Sequence, residues 1–136
     1  MFEVFEHTAD VGLRVRAADL NTLFAEAGRA LFSLIVENLD QVEPSTSIAV
    51  DLQAGNLEDL LCDWLAELLY TFDARRLVLC RFEVEVQGTS LHGQAFGQTL
   101  DESKHQLGRE VKAITYHGLL VRPEPPGWMA EVIVDI

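Results

Sequence analysis

Apolar positions recur along this chain with a changing period, and each change predicts an element. Residues 2–6 and 11–17 read as short strands. Val11, Leu13, Val15 and Ala17 alternate with Gly12, Arg14 and Arg16, so one face is buried and the other wet. A helical period follows: Leu20, Leu23, Phe24, Ala27, Leu31, Leu34 and Ile35 form one stripe of a helix that Asp19 can cap. Residues 47–52 are a third strand, introduced by Pro44 and closed by Ala54-Gly55. Asn56 then caps the clearest helix, with Asp59 at its third position and a stripe running from Leu57 through Trp64 to Phe72. From Leu77 the period returns to two, with Phe82, Val84 and Val86 inward and Glu83 and Glu85 outward. Gly88-Thr89 turns the chain into residues 90–98 as a hairpin. Residues 112–121 and 127–136 read as two more strands, and the three prolines between them forbid continuing regular structure. The predicted class is α+β: a mixed, mostly antiparallel sheet of about six or seven strands with two amphipathic helices packed on one face, in a single domain over residues 1–136.

Composition narrows the function more than the fold. With 22 acidic and 10 basic residues the formal net charge is −12. Such a surface repels phosphate backbones, so no direct nucleic-acid binding is expected; it suits a bound cation or a partner with a positive surface. No basic leader precedes an apolar run near the start, and the apolar runs are too short to cross a bilayer. Neither a signal peptide nor a membrane span is expected, and the expected compartment is the cytoplasm. Cys62 and Cys80 fall in a predicted helix and a predicted strand without a CxxC pattern, and read as buried apolar thiols.

The candidate chemistry is acidic. Asp10 alone reads as an Asx-turn between strands, and Asp135 alone as a solvated strand end. Alternation in the last strand sends Trp128, Ala130, Val132, Val134 and Ile136 to one side, and Met129, Glu131, Ile133 and Asp135 to the other. The Ile136 side chain can therefore anchor in apolar surroundings while its carboxylate stays free beside Asp135. Adding Asp10 makes a cluster opposed by on the order of 4 kcal/mol per close like-charged pair at an effective dielectric of about 20, unless a cation neutralises it. Oxygen donors without sulfur suit Ca2+, Mg2+ or Mn2+ rather than zinc, and calcium best tolerates irregular geometry. His7 and His117 are candidate ligands or acid–base groups, though a lone histidine beside an apolar strand is more often structural. Lys104 reads as a surface cation suited to a phosphate or an acidic partner residue. No Walker loop, GxGxxG, HExxH or GxSxG pattern is present, so no strong enzyme signature appears.

Three segments in order, HTADVGLRV at residues 7–15, VKAITYHGL at 111–119 and VIVDI at 132–136, resemble the archease family. The likeness runs essentially end to end, since the two helices and the DESKH segment at 101–105 also fall where that family has them. The resemblance implies a small non-catalytic activator of the RtcB-type RNA ligase, which joins tRNA exon halves using GTP and a divalent metal. Such an activator promotes guanylylation of the ligase's active-site histidine, speeds turnover and can broaden nucleotide use. The resemblance also implies a divalent-cation site, calcium in known examples, formed by the aspartate of HTAD and the acidic C-terminus. That maps to Asp10, Asp135 and Ile136. Lys104, as the lysine of the family's D-x-x-K-H segment, is an expected contact with the ligase, together with His105 and His7. Two rival readings are a stand-alone metal-dependent phosphohydrolase with His7 or His117 as base, and a chaperone-like adaptor that binds partners through sheet edges.

Overall fold

The computed structural model describes residues 1–7 and 10–136, His7 by its backbone alone. The chain runs β1 (Phe2–His7), β2 (Asp10–Ala17), α1 (Leu20–Ile35), β3 (Thr46–Gln53), α2 (Leu57–Arg75), β4 (Leu77–Gln87), β5 (Ser90–Thr99), β6 (Ala113–Ile114), β7 (Leu120–Glu124) and β8 (Gly127–Asp135). Both helices start at a side-chain cap. Asp19 Oδ1 accepts from the Thr22 N–H at 2.8 Å, and Asn56 Oδ1 from the Asp59 N–H at 2.8 Å. Each satisfies a first-turn donor that has no partner inside its helix. α2 ends at Arg76, whose φ of 53° is left-handed. The Arg76 N–H still reaches the Phe72 carbonyl, and its own carbonyl accepts from the Leu100 N–H at 2.8 Å.

The fold is α+β, with its strands in two antiparallel sheets rather than one. The first has the order β1-β2-β8-β6, and β7 joins the edge of β8 that β6 also occupies; the second has the order β3-β5-β4. Both helices touch both sheets, α1 against β1, β2, β8 and β4, and α2 against β3, β4, β5, β6 and β7. The core fills the space between. At its centre Phe32 meets Phe72 and Phe82, and Trp64 meets Phe82, with ring centroids 6.2–6.3 Å apart. Trp64 is fully buried, and its Nε1–H donates to the Phe24 carbonyl at 2.9 Å, so its polar atom is satisfied. β4 bulges between Leu79 and Arg81. There Arg29 donates to the Cys80 carbonyl at 2.9 Å, and further on Asn21 Oδ1 accepts from the Val86 N–H at 2.8 Å. Side chains of α1 thus cap backbone groups along the outer edge of β4. Cys62 and Cys80 are free and buried, and burial raises both thiols above their ordinary pKa.

Residues 112–121 do not make the single strand that their apolar content predicts. β6 stops at Ile114, the Leu119 N–H closes a turn on the Tyr116 carbonyl at 3.3 Å, and Gly118 takes a φ of +64° before β7 begins. A glycine adopts that backbone without penalty, and the apolar run conceals the break. The prolines that follow are also better accommodated than expected. Pro123 lies within β7, which pairs with β8 alone, so its missing N–H breaks no ladder. Among the described residues, no helix is long and apolar enough to cross a membrane.

Candidate functional site

The register of the first sheet decides where the acidic residues meet. β2 pairs with β8 from Asp10↔Asp135 to Ala17↔Trp128. β1 sets His7 opposite Asp10, and β6 sets Ala113 opposite Asp135. His7, Asp10, Asp135 and Ala113 therefore form one row across four strands, at one end of the sheet. Directly opposed residues project to the same face, with Cβ atoms about 4.5–5.5 Å apart. For Asp10 and Asp135 that face is the outer one, because Val11, Leu13 and Val15 face inward with Val134, Val132 and Ala130, none more than 2% exposed. Both aspartates are half-buried. Ile136 follows directly, its side chain packed against the core.

Elsewhere on this face the carboxylates are neutralised in place. Arg14 lies 3.2 Å from Glu131 and 3.7 Å from Glu3; Arg16 lies 3.1 Å from Glu3 and 2.7 Å from Glu124. The hydrogen bond to Glu124, and then its charge, hold Arg16 above its ordinary pKa. The tip is built differently. Two aspartates stand opposite one another, and Asp135 has no lysine or arginine partner among the described residues. Like charges directly opposed across strands are destabilising, and a cation relieves the repulsion. The two opposed side chains offer oxygen alone, a donor type that suits a hard divalent ion. Among the described residues no group of three His, Cys, Asp or Glu side chains assembles a metal site. Backbone carbonyls and water are further donors of the same kind for an ion placed between the pair.

Two rows in from the tip, Phe5 lies opposite Gly12, and its ring occupies the space that a Gly12 side chain would need. The Arg14 guanidinium covers the same ring at 4.7 Å. In register with Gly12 on the other side is Ile133, 5% exposed. While Phe5 keeps this position its ring leaves no room for a Cβ at residue 12, and the ring packs on the same face as the two aspartates.

Lys104 and His105 lie on a separate stretch. The loop from Leu100 runs along the end of α1, where Asn38 holds it from both sides: its Nδ2 donates to the Lys104 carbonyl at 2.8 Å and its Oδ1 accepts from the Gln106 N–H at 2.7 Å. The Lys104 side chain is exposed on this fixed backbone. His105 corrects the expectation of a surface contact. It is 2% exposed, its Nδ1 accepts from the Asp101 N–H at 3.1 Å, and its Nε2 meets Gln98 Oε1 at 3.0 Å. Both ring nitrogens serve the loop, and so buried a ring offers no surface to a partner. The contact expected of the His7 side chain lies outside the described residues. His117 sits in the exposed turn after β6. The sequence pattern missed Arg109, 3.1 Å from Glu6 beside the tip, because an exposed arginine in a loop carries no periodic signal. Lys112 adds a backbone tie to the tip, its N–H donating to the Asp135 carbonyl at 2.7 Å.

Known proteins match this chain over its whole length. The model described as "Archease protein family (MTH1598/TM1083)" matches residues 2–136. The chain is 38% identical over 139 residues to Protein archease of Methanopyrus kandleri, covering 99% of each. It is 39% identical over 140 residues to Protein archease of Pyrococcus furiosus, covering 99% of this chain and 98% of that one. Its structure is similar to the solution structure of Methanobacterium thermoautotrophicum protein 1598, with a TM-score of 0.86 and 32% identity over 99% of this chain and 98% of the other.

Proposed function

The chain belongs to the archease family, and from that premise we propose that it is a non-catalytic activator of an RtcB-type, GTP-dependent RNA ligase in tRNA splicing. It acts through a divalent-cation site at the tip of the first sheet. The observation that carries this reading is the pairing of Asp10 directly opposite Asp135, with Ile136 as the next residue. These two carboxylates, with the Ile136 carboxylate, would hold the ion: Ca2+ first, with Mg2+ and Mn2+ the alternatives. When bound, the ion supplies the positive charge that lets these groups share one surface. The Phe5 ring packs on the same face as the aspartates, and Lys104 presents its ammonium from a loop that Asn38 fixes. The net charge of −12 favours contact with the ligase over contact with its RNA.

Activation follows from differential affinity. The protein promotes ligase guanylylation and multiple turnover by binding the competent ligase more tightly than its other states, since equal affinity for all states shifts nothing. The test is multiple-turnover RNA ligation with a limiting amount of an RtcB-type ligase and GTP. Wild-type protein is expected to stimulate turnover, and Asp10→Ala and Asp135→Ala to lose most of that stimulation. Full stimulation by both variants removes the tip from the mechanism, and no stimulation by the wild type removes the activator reading. Phosphoester hydrolysis by the protein alone, lost in Asp10→Ala, would make it a hydrolase instead.

A further inference from the structure

We propose that the cavity where the C-terminal ends of α1 and α2 meet the loop at residues 107–111 binds a small monocarboxylate with an apolar body, held by Arg76. The cavity measures about 330 Å³, within the range of small-molecule sites. Its apolar walls are Ile35, Phe72, Leu107 and Val111. Ile35, Phe72 and Val111 are buried, whereas Leu107 is 41% exposed, a large apolar side chain that a ligand body would cover.

Arg76 supplies the anchor. Its left-handed backbone is one that glycine ordinarily takes at a helix end, so an arginine is held there at a conformational cost. Its guanidinium lies 4.6 Å from the centroid of the Phe72 ring, stacked on the cavity wall. Among the described residues it has no carboxylate within 4.0 Å, in a chain that carries 22 acidic residues. Stacking occupies one face of the guanidinium and leaves its N–H edge, a planar fork whose geometry matches a carboxylate. The rim sets the ligand's charge. Asp73 and Glu110 also line the cavity, and Arg109 is taken up by Glu6 at 3.1 Å. A dianionic phosphate would set two charges against those acids with one compensating cation, whereas a carboxylate sets one, and Arg76 offsets it. A free organic acid and the C-terminal end of a peptide share this chemistry.

The experiment titrates the intact protein with hexanoate, and separately with N-acetyl-leucine as a peptide-end mimic, followed by amide NMR shifts. The uncharged controls are 1-hexanol and N-acetyl-leucinamide. Arg76→Gly suits the left-handed backbone, so its melting temperature should match or exceed the wild type's while the anchor is gone. At least one acid is expected to shift Ile35, Phe72 and residues 107–111, with affinity falling at least about tenfold in Arg76→Gly. Arg76→Lys keeps the charge without the fork and should fall between. Tighter binding of N-acetyl-leucine names a peptide end as the source, and tighter binding of hexanoate names a free acid. Failure of both acids to bind, equal binding to Arg76→Gly, or equal binding of the uncharged controls would overturn the proposal. It rests on Arg76 and on neither aspartate, so loss of ligase activation in the aspartate variants leaves it untouched.

Discussion

On the outer face of the second sheet, Asp51, His92 and Glu85 lie in one cross-strand row, and His92 Nδ1 pairs with Asp51 Oδ1. That hydrogen bond, followed by the charge of Asp51, raises His92 above its ordinary pKa. With the folded value raised, the pair's contribution to stability is complete below the ordinary histidine value of about 6.5. It disappears as pH climbs through the folded value. Both side chains are exposed, at 70% and 71%, so solvent screening keeps that contribution slight and the titration itself is the readout. An NMR titration should place the His92 midpoint above about 6.5, and Asp51→Asn should bring it down; an unmoved midpoint would show that Asp51 is not the cause. At the tip, Asp135→Asn removes one of two opposed negative charges. In chelator it should therefore raise stability, by up to about 1 kcal/mol. The proposed site predicts a Ca2+-dependent rise for the wild type, which linkage puts at about 2.7 kcal/mol at a hundred times the dissociation constant, and the same variant should lose it. Thermal melts with and without Ca2+ check both signs, and a variant that is weaker in chelator would refute the opposed-charge account.

At the scale of elements, two glycines face different neighbours. A Cβ on Gly97 would run into the Val78 backbone carbonyl beside the β4 bulge, whereas one on Gly12 would meet the Phe5 ring, which can swing away. Gly97→Ala should cost roughly 2–3 kcal/mol in urea denaturation and Gly12→Ala clearly less; equal losses would mean that Phe5 is as rigid as a backbone. The same contrast between local and distant constraint explains what the sequence revealed. Asp19 and Asn56 mark the helix starts correctly because a cap is decided within about four residues. The division of strands into two sheets left no such mark, because a strand's partner is chosen by packing that alternation does not encode. The break between β6 and β7 rests on Gly118 within an apolar run that reads as continuous. Of the candidate site, the strand alternation that places Asp135 on the outer face was readable, while its opposition to Asp10 depends on register across the whole chain. His105 is buried because Gln98 and Asp101 close over it. The left-handed backbone of Arg76 has no counterpart in its sequence neighbours.

For the molecule as a whole, the position of β8 between β2 and the β6–β7 edge sets an order of assembly. The second sheet and both helices come from residues 20–99, a continuous stretch that can condense with comparatively short loops. The β1–β2 hairpin, a two-stranded ribbon of marginal stability that can lean on α1, gains its further sheet partner only from the far end of the chain. The opposed aspartates are therefore expected to become neighbours late, after the rate-limiting barrier. Stopped-flow measurements should then show Ca2+ slowing unfolding while leaving refolding nearly unchanged. Refolding that accelerates with Ca2+ would mean that the last strand docks early. With the late order, an ion held at the proposed site would act as a lock on the finished molecule and would contribute nothing to the speed at which it is made.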